Sequence, residues 1–105
     1  VVTAVGEQES LQPAAFALAQ NYPNPFNPNT TIRYHVGTDA RVNLAIFDAA
    51  GQRIRSLVST HQVAGSYAVE WDGTTDAGQA VASGTYIYRL EAGQFAQSHR
   101  LTLLK

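Results

Sequence analysis

The histidine imidazole can bind metals and transfer protons, and this sequence has three histidines, at positions 35, 61 and 99. Strong metal sites in proteins use clustered nitrogen, sulfur or oxygen ligands. The three histidines show no such spacing. Alternation around them predicts that His35 and His99 lie on strand faces opposite the core and that His61 lies in a loop. We therefore expect no metal site built on histidine.

The segment from Asp72 to Gly78 resembles a calcium-binding loop, with Asp72 and Asp76 as weak candidate ligands. A calcium loop of the EF-hand type also needs a third acidic position and a distant glutamate, and both are missing here. Aspartate and glycine are equally the residues that tight turns require. Turn formation is the favoured interpretation, and calcium binding stays open.

An enzymatic function would have to rest on Glu70 and Glu91, which occupy predicted strands that could be neighbours. Glycoside hydrolases use two carboxyl groups at a defined separation. Nothing in the sequence gives either glutamate a cleft or a raised pKa. The serines nearest His61, at positions 56, 59 and 66, form no nucleophile motif. We expect no catalytic residue, no enzymatic activity and no cofactor.

Aromatic residues supply the next candidate site. By strand alternation five of them point inward and form core: Tyr34, Tyr67, Trp71, Tyr86 and Tyr88. A shift of one residue in register would turn the same side chains outward. They would then form a platform suited to sugar rings. A carbohydrate-binding module appended to a glycoside hydrolase is therefore one alternative function.

Length and composition limit which other classes of function are possible. The chain has 105 residues, a net charge of −1, 14% charged residues and no cysteine. This length suits one domain. The six arginines are scattered along the sequence and the single lysine is Lys105, so nucleic acid is not an expected partner. No apolar run is long enough to span a membrane.

Apolar alternation predicts about seven strands, near residues 15–20, 30–36, 41–48, 53–58, 66–71, 85–91 and 95–104. Residues 59–65 are expected to form a polar loop. The strand at 53–58 is expected to lie at a sheet edge, protected by Arg53 and Arg55. The pattern predicts an all-β fold, a seven-stranded antiparallel immunoglobulin-like β-sandwich, over residues 16–105. Residues 1–15 are expected to be a linker or the tail of a preceding domain, with a short strand conceivable at Val1–Val5.

A proline- and asparagine-rich block, residues 21–30, interrupts this pattern. Its prolines cannot donate to a strand ladder, and each one restricts the residue before it to extended geometry. The asparagines can bond nearby main chain and so favour turns. We interpret the block as a stiff connector that inserts Phe26 as a plug into one end of the sandwich.

Several motifs together resemble the C-terminal sorting domain (type A) of type IX secretion cargo, over about residues 16–105. They are Phe16-x-Leu18-x-Gln20-Asn-Tyr-Pro-Asn-Pro-Phe-Asn-Pro28, Thr31-Ile-Arg-Tyr34, Val42-x-Leu44-x-Ile46-Phe-Asp-x-x-Gly51, Trp71-Asp-Gly73, Tyr86-x-Tyr88-Arg-Leu90 and Leu101-x-Leu103-Leu-Lys105. The pattern is also similar to the immunoglobulin-like domain of the flagellar hook-capping protein. The proline–asparagine block and the final Leu-Leu-Lys favour the sorting domain.

The resemblance implies a non-catalytic domain of a larger secreted protein, covalently linked to its cargo. It folds in the periplasm, is read by an outer-membrane type IX translocon, and accompanies its cargo to the cell surface or medium. In many such proteins a sortase-like peptidase removes the domain, and residues 1–15 would contain the cut. Recognition candidates are Asn24, Pro25, Asn27 and Pro28 in the block, and Leu103, Leu104 and Lys105 in the terminal strand. A structural assembly module of the hook-cap type is the further alternative.

Overall fold

The computed structural model describes residues 15–105 of the chain. The predicted linker, apart from Ala15, and the conceivable strand at Val1–Val5 lie outside the described residues. In the part described, all regular structure is β-strand. No helix there is long and apolar enough to cross a membrane.

Seven antiparallel strands form two sheets, which confirms the predicted fold class. The strand order is β1–β2–β5 in one sheet and β4–β3–β6–β7 in the other. The bounds are β1 Ala17–Leu18, β2 Thr30–Val36, β3 Ala40–Phe47, β4 Arg53–Gln62, β5 Gly65–Trp71, β6 Gly84–Ala92 and β7 Phe95–Leu103.

The core lies between the two sheets and follows the alternation of the sequence. Since successive side chains of a strand point to opposite faces, every second residue reaches the interior. The inward residues of β2, β3, β6 and β7 are nearly all less than 9% exposed: Ile32, Tyr34, Val36, Val42, Leu44, Ile46, Tyr86, Tyr88, Leu90, Leu101 and Leu103. Among the four edge strands, β4 and β5 have mostly half-buried or exposed residues.

Strand β4 differs from its prediction. It continues through Ser59 to Gln62 and pairs with β3, where the sequence predicted a polar loop. His61 therefore lies on an exposed strand rather than in a loop. The run Ser-Thr-His-Gln has no apolar alternation because an edge strand can keep both faces partly in water. The predicted edge position of this strand is confirmed, and β4 carries two irregularities in its pairing with β3.

The hydroxyl of Tyr88 joins the interior to the start of the proline–asparagine block. It donates to the carbonyl oxygen of Ala19 at 2.6 Å and accepts from the amide of Asn21 at 2.8 Å. Burial raises the pKa of Tyr88 to about 12. The neutral phenol is therefore the form that the folded protein holds.

We predict that Tyr88→Phe lowers the free energy of unfolding by about 1–3 kcal/mol, because the buried Asn21 amide loses its acceptor. Chemical denaturation at neutral pH measures this change. An unchanged midpoint would show that another acceptor replaces the hydroxyl.

The same residue predicts a pH dependence. The ordinary pKa of tyrosine is about 10, so the stabilisation from neutral Tyr88 is present below that pH and disappears as pH rises towards 12. Denaturation curves across this interval should show the wild type losing stability faster than Tyr88→Phe. If the free energy of unfolding fell equally with pH in the two proteins, Tyr88 would not be the group responsible.

Candidate functional site

Phe26 ties the proline–asparagine block to the last strand. Its amide donates to the carbonyl oxygen of Thr102 at 2.9 Å, and its own carbonyl oxygen accepts from the amide of Leu104 at 3.0 Å. The ring is 2% exposed and lies 5.6 Å from the Trp71 ring, measured between centroids. Phe26 thus occupies one end of the core while its main chain pairs with β7 like a short parallel strand.

Two side chains extend this pairing along the outer edge of β7. The Asn24 side-chain oxygen accepts from the Thr102 amide at 3.0 Å, and the Gln20 side-chain amide donates to the Arg100 carbonyl at 2.7 Å. We call residues 20–28 the strap. The main chain at the end of β7 therefore already has hydrogen-bond partners within the domain.

A buried polar pair holds the strap's conformation. Asn21 and Thr30 are 2% and 1% exposed. The Asn21 side-chain amide donates to the Thr30 hydroxyl at 2.8 Å, and both groups donate to the carbonyl oxygen of Pro23. Buried polar groups are costly unless they are bonded, so this closed set fixes one geometry. The bond from Asn21 to nearby main chain agrees with the prediction for the asparagines of the block, whereas the buried pairing of Asn21 with Thr30 was not predicted.

The outer side of the strap is exposed and partly apolar. Tyr22 is 75% exposed and Leu104 is 54% exposed. The four predicted recognition residues of the block are exposed as well: Asn24, Pro25, Asn27 and Pro28. The Lys105 amide bonds to the Ser83 hydroxyl at 3.0 Å. The structure therefore brings the two predicted recognition segments together as one surface, which we call the strap surface.

Leu103 stands apart from the other candidates. Its side chain is 1% exposed, so it belongs to the core and is not available for direct recognition. Gly73 lies beside it with φ near +77°, and an added Cβ would meet the Leu103 side chain and the Pro28 carbonyl. The Trp71-Asp-Gly73 turn and the strap thus close the same end of the sandwich.

The aromatic residues lie where the core prediction placed them. Trp71 and Tyr88 are 0% exposed and Tyr86 is 8% exposed. Tyr34 is buried and stacks on the half-buried Tyr67, with 5.4 Å between ring centroids. These five side chains therefore do not form an exposed platform for sugar rings.

The two aspartates of the calcium-like loop bond to different partners. The Asp72 carboxylate accepts from the amide and hydroxyl of Thr74, and the hydroxyl bond lowers the pKa of Asp72. The Asp76 carboxylate accepts from the Ser56 amide at 2.9 Å and lies 4.0 Å from Arg55. Both aspartates have the hydrogen bonds of turn and edge residues.

One expectation about a titratable residue is wrong, and one open possibility is excluded. His99 does not face away from the core, because its ring nitrogen lies 2.8 Å from the Leu18 carbonyl and its ring lies against Tyr88. Glu70 and Glu91 lie in strands of different sheets, so they are not neighbours. Glu91 instead pairs with Arg89 at 2.9 Å.

These features define an immunoglobulin-like β-sandwich whose end is closed by a strap. Residues 28–94 match the sequence profile described as the FlgD Ig-like domain. This match spans more than half of the chain, and the chain belongs to that family. No curated protein matches the sequence.

Three solved structures are similar to this fold. Dimeric latent PorU from Porphyromonas gingivalis has a TM-score of 0.71 and 22% identity, over 87% of this chain and 10% of that one. PorZ, a surface component of the type-IX secretion system of the same organism, has a TM-score of 0.57 and 23% identity, over 87% and 12%. FlgD from Xanthomonas campestris, which is involved in hook capping, has a TM-score of 0.58 and 19% identity. The match covers 90% of this chain and 72% of the FlgD chain.

At these identities the similarity establishes the fold alone. The chain spans about a tenth of the length of the PorU and PorZ chains.

Two asparagines of the strap provide a matched test of its attachment. We predict that Asn24→Ala lowers the free energy of unfolding by about 0.5–1.5 kcal/mol because the Thr102 amide loses its acceptor. Asn27→Ala is the control, since Asn27 is also exposed and also precedes a proline. Equal effects in chemical denaturation would show that the Asn24 bond contributes nothing specific.

Proposed function

We propose that this chain is a non-catalytic sorting domain that directs a larger secreted protein through type IX secretion. The observation that supports this most directly is the strap surface, which joins the two sequence segments that resemble sorting domains. Membership of an immunoglobulin-like family is consistent with a binding module. The fold likeness to PorZ, a component of that secretion system, is further support.

Recognition at the strap surface would use side chains rather than strand addition. Thr102 and Leu104 already bond to Asn24 and Phe26 through their main chain. A partner strand could not pair with that stretch unless the strap detached. The exposed groups of the strap surface include the ring of Tyr22, the side chain of Leu104 and the prolines, beside the polar side chains of Asn24, Asn27 and Lys105. Tyrosine is enriched among the anchor residues of protein interfaces, and surrounding contacts such as that of Leu104 exclude water from such an anchor.

The strap surface would also report completed folding. The Asn24–Thr102 bond joins residues that are 78 positions apart. The surface therefore forms only when the last strand has paired with β6 and the strap has closed over it. A translocon that reads this surface would select folded domains.

The partners follow from this role. They are an outer-membrane type IX translocon, a sortase-like peptidase and the covalently linked cargo. The proposed route passes through the periplasm to the cell surface or medium, with residues 1–15 as the linker to the cargo.

A structural assembly module is the second candidate, because the chain belongs to the FlgD Ig-like domain family. This function predicts association with a protein partner and no role in export. A carbohydrate-binding role has less support, since the aromatic residues that would form its platform face the core.

A reporter fusion tests the sorting role. We attach residues 1–105 to a periplasm-directed fluorescent protein in a host with type IX secretion, and compare it with the double variant Tyr22→Ser/Leu104→Ser. Both side chains are exposed, so the variant should fold. We expect export of the original fusion and about thirtyfold less export of the variant, since loss of an interface anchor costs ~2 kcal/mol.

Val63→Ser is the matched control, because Val63 is 59% exposed and lies in the β4–β5 turn. It should be exported normally. Export of the double variant at the level of the original would exclude the strap surface, and export of no fusion would favour the assembly module. Truncation after Arg100 is a poorer test, since it also removes the buried side chains of Leu101 and Leu103.

A further inference from the structure

The outer face of the four-stranded sheet carries a row of four residues, one from each strand. The pairing register places Arg53 of β4 opposite Phe47 of β3, Phe47 opposite Ile87 of β6, and Ile87 opposite Arg100 of β7. Directly opposed residues share one face of a sheet. We call these four residues the arginine row.

The row faces away from the core. Ile46, Tyr88 and Leu101 are fully buried, so their chain neighbours Phe47, Ile87 and Arg100 point to the opposite side. Ile54, next to Arg53, packs against the core, and this places Arg53 on the outer face as well. Phe47 and Ile87 are half-buried on that face, and the two terminal arginines are exposed. The result is an apolar pair with a guanidinium at each end.

The charges of the row are unneutralised within residues 15–105. Arg89 has Glu91 as its partner and Arg55 has Asp76. Within that range neither Arg53 nor Arg100 has a carboxylate within 4.0 Å. The carboxylate of Asp48, next to Phe47, accepts from the amides of its own turn.

We propose that the arginine row binds an extended acidic segment of a partner protein. Its two ends are three strand spacings apart, which is about 14 Å. In an extended peptide, residues i and i+4 are about 13 Å apart and point to the same side, with residue i+2 between them. Carboxylates at i and i+4 would reach Arg53 and Arg100, and an apolar residue at i+2 would contact Phe47 and Ile87.

The expected motif is therefore Glu-x-Φ-x-Glu, where Φ is apolar, lying across the strands. Arginine suits this role because its planar guanidinium donates two parallel hydrogen bonds to one carboxylate, and its aliphatic stem covers apolar surface. The row shares no residue with the strap surface, and Arg100 bonds to the strap through its main-chain carbonyl. Either proposal can therefore fail without the other.

The test is a titration of the 105-residue protein with the peptide Thr-Glu-Thr-Leu-Thr-Glu-Thr, capped at both ends, followed by amide chemical shifts. The control peptide has the same composition with its two glutamates adjacent. We expect shifts confined to the faces of β3, β4, β6 and β7 that carry the row. We expect affinity for the first peptide to exceed that for the second and to fall with added salt.

Arg53→Gln and Arg100→Gln should each weaken binding about two- to fivefold, the range for a single exposed ion pair. Arg33→Gln is the control, since Arg33 is exposed on the other sheet. Three results would each overturn the proposal: no binding at millimolar peptide, equal affinity for both peptides, or equal loss with Arg33→Gln. Arginine-dependent binding to vesicles of anionic phospholipid without peptide binding would also overturn it.

Discussion

The two main-chain hydrogen bonds between Phe26 and β7 are the constraint on which the candidate site depends. They fix the strap against Thr102 and Leu104, and this contact places the Phe26 ring beside Trp71. Without the pairing, the prolines would still stiffen the segment but would not determine which surface it covers. The position of every exposed group of the strap therefore follows from a contact that is itself buried.

Two sheet edges are closed by the same device. At β7, the Phe26 amide and the Asn24 side-chain oxygen occupy the positions of a strand's donor and acceptor. At β4, the Asp76 amide donates to the Ile54 carbonyl at 3.0 Å and the Asp76 carboxylate accepts from the Ser56 amide. Open edges promote unwanted pairing between chains. Asp76 therefore has a structural role, which is to close the edge of β4.

The sequence was sufficient to predict the strands and their inward faces, because burial on one side imposes a period of two. It was not sufficient to predict which strands are neighbours, because that pairing joins residues far apart in the chain. Glu70 and Glu91 belong to different sheets, which alternation within each strand does not reveal. The end of β4 was missed because its residues need no apolar pattern at an edge. His99 was assigned to the wrong face even though it shares the alternation of Leu101 and Leu103.

The two proposed surfaces differ in the same way, because one is formed by a local segment and the other by residues from strands far apart in the chain. The strap is a local segment, so its prolines and asparagines mark it in the sequence, although its partner on β7 cannot be identified there. The arginine row combines four strands, and its members are scattered in sequence order. Composition therefore predicted no basic patch, and only the register of the sheet brings Arg53 and Arg100 to one face. Because main-chain groups are already paired at the strap and within the sheet, recognition at both surfaces depends on side chains.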